Sequence, residues 1–200
     1  MCGKYLKPNN SKASNKSDKT KPQNSNFNHK KLQPKIKPKF IFMEESKKSV
    51  NVKEVGFTNF LSDKNKEETK LRLEYLTSNV NELENLVNEE NGKDETDNIL
   101  NNIDTILLKM YDDNYFSNYK ETKYFKARIK TQLGQSTSFR LFLVKDIEYN
   151  NYPIVLVDPL HLAVKSSRQY EKPNRYEDNK GNGLCLSNIF NHINIKSIFK

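Results

Sequence analysis

The chain has 200 residues, 34% hydrophobic and 30% charged, with a mean hydropathy of −0.89 and a formal net charge of +9. That length suits one domain with tails, and that polarity is high for a chain folded throughout, so part of it is expected to stay disordered. Nothing approaches a membrane-spanning apolar run or a secretory leader, and the isolated Cys2 and Cys185 make neither a zinc site nor a disulfide framework, so a cytoplasmic setting without a membrane is expected.

The positive charge is unevenly spread. Residues 1–39 carry eleven Lys against Asp18 alone, a net +10, whereas residues 40–120 carry ten basic and seventeen acidic residues, a net −7. Residues 121–200 return to +6, with thirteen basic and seven acidic residues. The chain therefore reads as a basic arm, an acidic middle and a basic C-terminal part.

Residues 1–38 are rich in Lys, Asn, Ser and Pro, with apolar positions only at intervals. Such a segment buries too little apolar surface to offset an ordering cost of roughly 1–2 kcal/mol per residue. A disordered arm able to attract phosphates is expected there, with a solvated tail as the plain alternative. Phe40-Ile41-Phe42-Met43 reads as a short edge strand, and Val50, Val52, Val55, Phe57 and Phe60-Leu61 form a second apolar patch without a clear period.

Residues 66–90 are expected to be helical. Leu73, Leu76, Val80, Leu83 and Val87 recur at spacings of 3, 4, 3 and 4, one stripe of an amphipathic helix too short for a long coiled coil. Asn65 with Glu68 resembles a capping box, and Gly92 is placed to end the helix. A second helix is expected from about Glu95 to Tyr111, with an apolar face of Ile99, Leu100, Ile103, Ile106, Leu107 and Met110 and a cap at Asp94 or Thr96. The Asn91-Gly92 turn between them makes an antiparallel helical hairpin.

The period then changes to two. Tyr124, Lys126, Arg128 and Lys130 share one face of a strand, and Gly134 to Ser138 is turn chemistry. Phe139 to Val144 and Tyr152 to Val157 read as two further strands of an antiparallel meander. Asp158-Pro159 interrupts the last, because proline lacks an N–H for the ladder, and Leu160 to Val164 is expected to resume it. Residues 166–183 read as a polar linker whose Gly181-Asn182-Gly183 is a flexible loop. Residues 184–200 read as an amphipathic helix using Leu186, Ile189, Phe190 and Ile193, which docks on the domain or sits in the groove of a protein partner. The fold class expected is α+β: a helical hairpin packed on a small antiparallel sheet across residues 39–165, behind the arm.

No phosphate loop, dinucleotide fingerprint or nucleophile elbow is present, the three His have no metal spacing, and no cofactor is expected. One constellation remains. Arg128, Arg140 and His161 are candidate catalytic residues, and Lys126, Lys130, Lys165 and Arg168 candidate nucleic-acid ligands. Cations alternating along a sheet can hold a phosphate backbone, and a His can transfer a proton in RNA cleavage. An ordinary solvated strand face is the plain alternative.

The segment Asn118 to Ile129, then Phe139-Arg140-Leu141-Phe142 and an apolar strand, following two helices, resembles the RelE/ParE toxin superfamily over about residues 66–165. The resemblance implies a small sheet packed on a helical hairpin and, as in many members, cleavage of mRNA, often on the ribosome, through basic and aromatic sheet residues. Arg128 and Arg140 match the strand arginines. Gly134 to Ser138 replaces the family's compact turn. The ending Asp158-Pro159-Leu160-His161-Leu162 is similar instead to small uncharacterised bacterial proteins whose last strand closes on Asp-Pro-x-His. A nucleic-acid-facing protein of toxin-like architecture, an endoribonuclease acting on mRNA, is the leading expectation. A non-enzymatic accessory protein of a mobile element or phage-defence system is the alternative.

Overall fold

The computed structural model describes residues 37–79, 81, 83, 97–111, 124–145, 151–164, 175–180 and 183–193, all within one unit, Ile36–Lys200. The expected arm of residues 1–38, except for Lys37 and Pro38, lies outside the described residues, as do the Asn91-Gly92 turn, the caps at Asp94 and Thr96, Val80, Val87, Lys165 and Arg168.

The fold is α+β. Strand β1 (Lys39–Phe42) is followed by a small hairpin, β2 (Asn51–Val52) and β3 (Phe57–Thr58), then by helices α1 (Asp63–Ser78) and α2 (Asp97–Met110). Strands β4 (Phe125–Lys130), β5 (Ser136–Leu143) and β6 (Asn151–Asp158) come next, and short helices α3 (Arg175–Asn179) and α4 (Leu186–Phe190) close the described chain. The expected meander is present, with β4–β5 and β5–β6 antiparallel. The sheet as a whole is mixed rather than antiparallel, because β1 adds to its edge in parallel with β6, giving the order β1-β6-β5-β4. A parallel partner requires a long crossover, and the intervening chain supplies it. Strand β6 is buried from Tyr152 onward, which accounts for its unbroken apolar run.

Helix α1 begins earlier and ends sooner than its periodicity suggests. Its N-cap is Ser62, not Asn65. Asn65 lies in the first turn, where its amide donates to Ser62 Oγ and to Asn179 Oδ1, each at 3.1 Å. The helix stops at Ser78 because three consecutive side chains bond back onto it. Thr77 Oγ1 and Ser78 Oγ donate to the Glu74 carbonyl and Asn79 Nδ2 to that of Tyr75, at 2.6, 3.3 and 2.9 Å, offering the backbone an alternative to continued helix. Helical geometry is described again at Asn81 and at the buried Leu83. Helix α2 buries Ile103, Ile106 and Leu107 as expected. Two tyrosines join it to the sheet: Tyr111 donates to the Val155 carbonyl at 2.7 Å, and Tyr124 donates to Asp104 at 2.9 Å. Burial, and then the Asp104 carboxylate, push the Tyr124 hydroxyl well above the ordinary phenol range.

The aperiodic patch of residues 50–61 is the β2–β3 hairpin, turned by Gly56 in the left-handed region (φ 62°) and fastened by Asn59. That side chain accepts from Val50 N–H at 2.7 Å and donates to the Val157 carbonyl at 3.3 Å. The expected linker of residues 166–183 is not wholly linker, since α3 occupies Arg175–Asn179 and Asn179 Oδ1 accepts the Ser62 N–H at 2.8 Å. The expected C-terminal helix of residues 184–200 is described only as α4 and its closing turn. Leu186, Ile189, Phe190 and Ile193 are buried in the chain's own core, with Phe190 edge-on to Phe42, so this face is not offered to a partner.

Gly183 is a close-approach glycine rather than a flexible one. Leu61 and Leu184 exchange both backbone hydrogen bonds, at 3.0 and 2.8 Å, and a Cβ on Gly183 would lie 2.6 Å from Leu61 backbone atoms. Gly183→Ala is therefore expected to lower the unfolding free energy by about 1–3 kcal/mol, an overpacking cost, in urea denaturation. Unchanged stability would mean that the two bridged segments part without loss.

Candidate functional site

The sheet register assembles the site. Arg128 on β4 is directly opposite Arg140 on β5, and Arg140 is directly opposite Asp158 on β6. Directly paired residues share a face, so three charged side chains form one row across three strands. Lys126 is two residues before Arg128 on the same strand and hence on the same side. Arg128 is exposed, whereas Arg140 is 4% exposed and Asp158 wholly buried. Arg140 Nη1 donates to the carbonyls of Thr137 and Phe139 at 2.5 and 2.9 Å.

After Asp158 the chain does not resume a strand, as alternation suggested. It turns. Pro159 cannot extend the ladder, and the Asp158 carboxylate takes the next free amides: Oδ1 accepts the Leu162 N–H and Oδ2 the Ala163 N–H, both at 2.9 Å. Ser138 Oγ donates to the Pro159 carbonyl, and Arg175 Nη1 to the Leu160 carbonyl, each at 3.0 Å. His161 stands at the tip with φ 58°, the one non-glycine residue in the left-handed region among the described residues. From Asp158 to Val164 every residue is buried except His161, which is partly exposed.

The electrostatics follow from this placement. Burial lowers the His161 pKa to about 4, and Arg140, Lys126, Arg128 and Arg175 add to the effect. The imidazole is thus neutral at pH 7. Burial also lowers Arg140 to about 10, with Arg128 and Arg175 in the same sense and Asp158 opposing. Asp158 is raised to about 6 by burial, against the pull of the Leu162 and Ala163 amides and of Arg140. Among the described residues, Arg140, Lys126, Arg128 and Arg175 act on His161 as cations, with the Asp158 carboxylate beneath the turn. Such a cluster, partly open to solvent, attracts an anion with several oxygen acceptors.

Of the residues singled out from sequence, the fold brings together Lys126, Arg128, Arg140 and His161. Lys130 is exposed at the hairpin end of β4, beyond a register shift and opposite Ser136. Two contributors were not anticipated. Arg175 comes from a segment read as linker, where a helix of five residues is too short to leave a period. Asp158 reads in sequence as a strand breaker with Pro159, and its bonds to amides four and five residues on reach beyond the two-residue Asx turn that a sequence signals. Among the described residues no group of His, Cys, Asp and Glu could hold a metal ion, and no helix is long and apolar enough to cross a membrane. Neither a family model nor a characterised protein nor a solved structure matches the chain.

Proposed function

We propose that the chain binds single-stranded RNA across the β4–β5–β6 face and cleaves it, as a small endoribonuclease. The observation that carries this reading is the neutral His161, raised on a pinned turn among Lys126, Arg128, Arg140 and Arg175. A neutral imidazole beside bound phosphate can take the proton of the ribose 2′-hydroxyl. The 2′-oxygen then forms its bond to phosphorus, the bond from phosphorus to the 5′-oxygen breaks, and that oxygen takes a proton from solvent. Arg128 and Lys126 offset the negative charge that grows on the phosphoryl oxygens. The product carries a 2′,3′-cyclic phosphate, and a DNA strand, lacking the 2′-hydroxyl, is held but not cut. The reading agrees in kind with the resemblance to ribosome-associated toxins, for which growth arrest on induced expression is the cellular counterpart.

End-labelled RNA incubated with the purified chain tests it. Arg128→Ala is expected to lower cleavage by about 10²-fold or more, the usual size for removing one donor to a developing oxyanion. Arg175→Ala is expected to weaken RNA retention and to reduce the slope of log K against log salt by about 0.7, one phosphate contact to a single strand. If no cyclic-phosphate product appears, or Arg128→Ala cuts as fast as wild type, the nuclease reading is lost. A protein complex that survives high salt and nuclease treatment would then favour a non-enzymatic interaction protein.

A further inference from the structure

The turn that carries His161 combines two unfavourable choices that simple replacements would remove. Asp158 is a wholly buried carboxylate where an apolar residue would continue β6. His161 occupies the left-handed region at φ 58°, where glycine would sit without strain. Local strain persists only where the surroundings over-determine it, and such positions cluster at functional sites. Here the surroundings do so completely. Pro159 and Leu160 are held by donors from Ser138 and Arg175, and Leu162 and Ala163 by the two oxygens of Asp158. The residue between these four anchors is the one whose side chain leaves the core.

We infer that Asp158 is a positioning residue: its carboxylate fixes the backbone on the far side of His161 and so aims the imidazole at the phosphate held by Lys126 and Arg128. The inference rests on the RNA-cleavage reading for its consequence, though not for its geometry. Among the described residues, the charged groups acting on the turn are Arg140 on β5, Lys126 and Arg128 on β4, and Arg175 on α3. The Leu162 and Ala163 amides, and after them the charge of Arg140, favour the ionised carboxylate against its burial, and both Asp158 oxygens are taken by amides of the turn. The bonds to Leu162 and Ala163 come from amides one and two residues past His161. Loss of either lets the left-handed residue relax, and a shift of about 1 Å at a reacting group is enough to cost 10²-fold in rate.

Asp158→Asn keeps the volume but leaves one amide without an acceptor, because an NH₂ cannot accept. Its kcat is expected to fall by about 10–100-fold, with KM within about twofold of wild type. In a His161→Ala background the same change should have no further effect on the residual rate. A merely structural role would lower the active fraction equally in both backgrounds, and that result overturns the inference. Should Asp158→Asn not fold, Ser138→Ala removes the Pro159 anchor alone and is expected to show a smaller loss that also vanishes with His161→Ala. A readout independent of cleavage is the NMR titration of wild type. The Leu162 and Ala163 amide protons and the His161 backbone should move together as Asp158 titrates, at about pH 6. If wild type cuts no RNA, the nuclease reading fails while this titration still decides the positioning role. Titration without any response at His161 overturns it.

Discussion

Replacing Arg140 with alanine is expected to lower the unfolding free energy by about 1–3 kcal/mol, the usual cost of leaving buried acceptors without their donor. Arg140 is 4% exposed and stands opposite the wholly buried Asp158. Its loss leaves that carboxylate with amide donors but no counter-charge, and it strips the Thr137 and Phe139 carbonyls of their guanidinium donor. Arg140→Lys should fall between, since an ammonium keeps the charge but cannot fork. The sign of the pH dependence makes the test specific. Asp158 is raised in the fold to about 6 from 3.8, so the native state binds its proton more tightly. Stability through this group therefore falls as pH rises from about 4 to 6 and is regained on acidification. His161 is lowered to about 4 from 6.5, so its contribution has the opposite sense and is lost as pH falls through that window. In wild type the two largely offset each other. Without Arg140 the Asp158 pKa rises further and that of His161 relaxes upward, so both changes favour the variant at low pH. Urea denaturation should thus show a smaller deficit for Arg140→Ala at pH 5 than at pH 7. An equal deficit at both would mean that Arg140 is not the partner of Asp158.

Local pattern carried the meander, because β6 is buried on both faces and β4 alternates as a half-exposed strand must. It also carried α2, whose apolar face is broad. What it could not carry is anything decided by partners distant in sequence or by side chains bonding to backbone. The parallel pairing of Phe40 with Tyr152 spans both helices and has no local signature. Leu160, Leu162 and Val164 alternate as a strand would, yet the Asp158 carboxylate takes the Leu162 and Ala163 amides and folds the segment into a turn. Thr77, Ser78 and Asn79 end α1 by the same kind of competition, although the leucine stripe runs on. The site divides along the same line. Lys126, Arg128 and Arg140 were legible as charges on strands, and His161 as a proton carrier, though its place on a turn was not. Arg175 and the role of Asp158 were not, because their contacts are to single carbonyls and amides, which no periodicity records.

Cleavage is expected to fall by about 10²–10⁴-fold in kcat on replacing His161 with alanine, the range for losing a positioned general base. His161→Gly separates chemistry from folding: glycine suits φ 58°, so the turn should keep its stability while activity is lost as completely. The titration of the imidazole supplies a second, sharper expectation. In the free protein it is held at about 4 by burial and by Arg140, Lys126, Arg128 and Arg175, which makes it neutral but weakly basic. A bound phosphate places negative charge beside those cations and opposes their repulsion, so binding must raise the His161 pKa toward neutrality, where a general base works best. By linkage, the chain should take up a fraction of a proton when it binds. The acid limb of kcat/KM, which reports the free protein, should therefore lie near pH 4, and that of kcat should lie higher. NMR of His161 in the presence of a saturating 2′-deoxy oligonucleotide reads the bound value directly, since that strand binds without being cut. A value still near 4 on saturation would mean that phosphate does not reach the imidazole, and the base would have to be sought elsewhere.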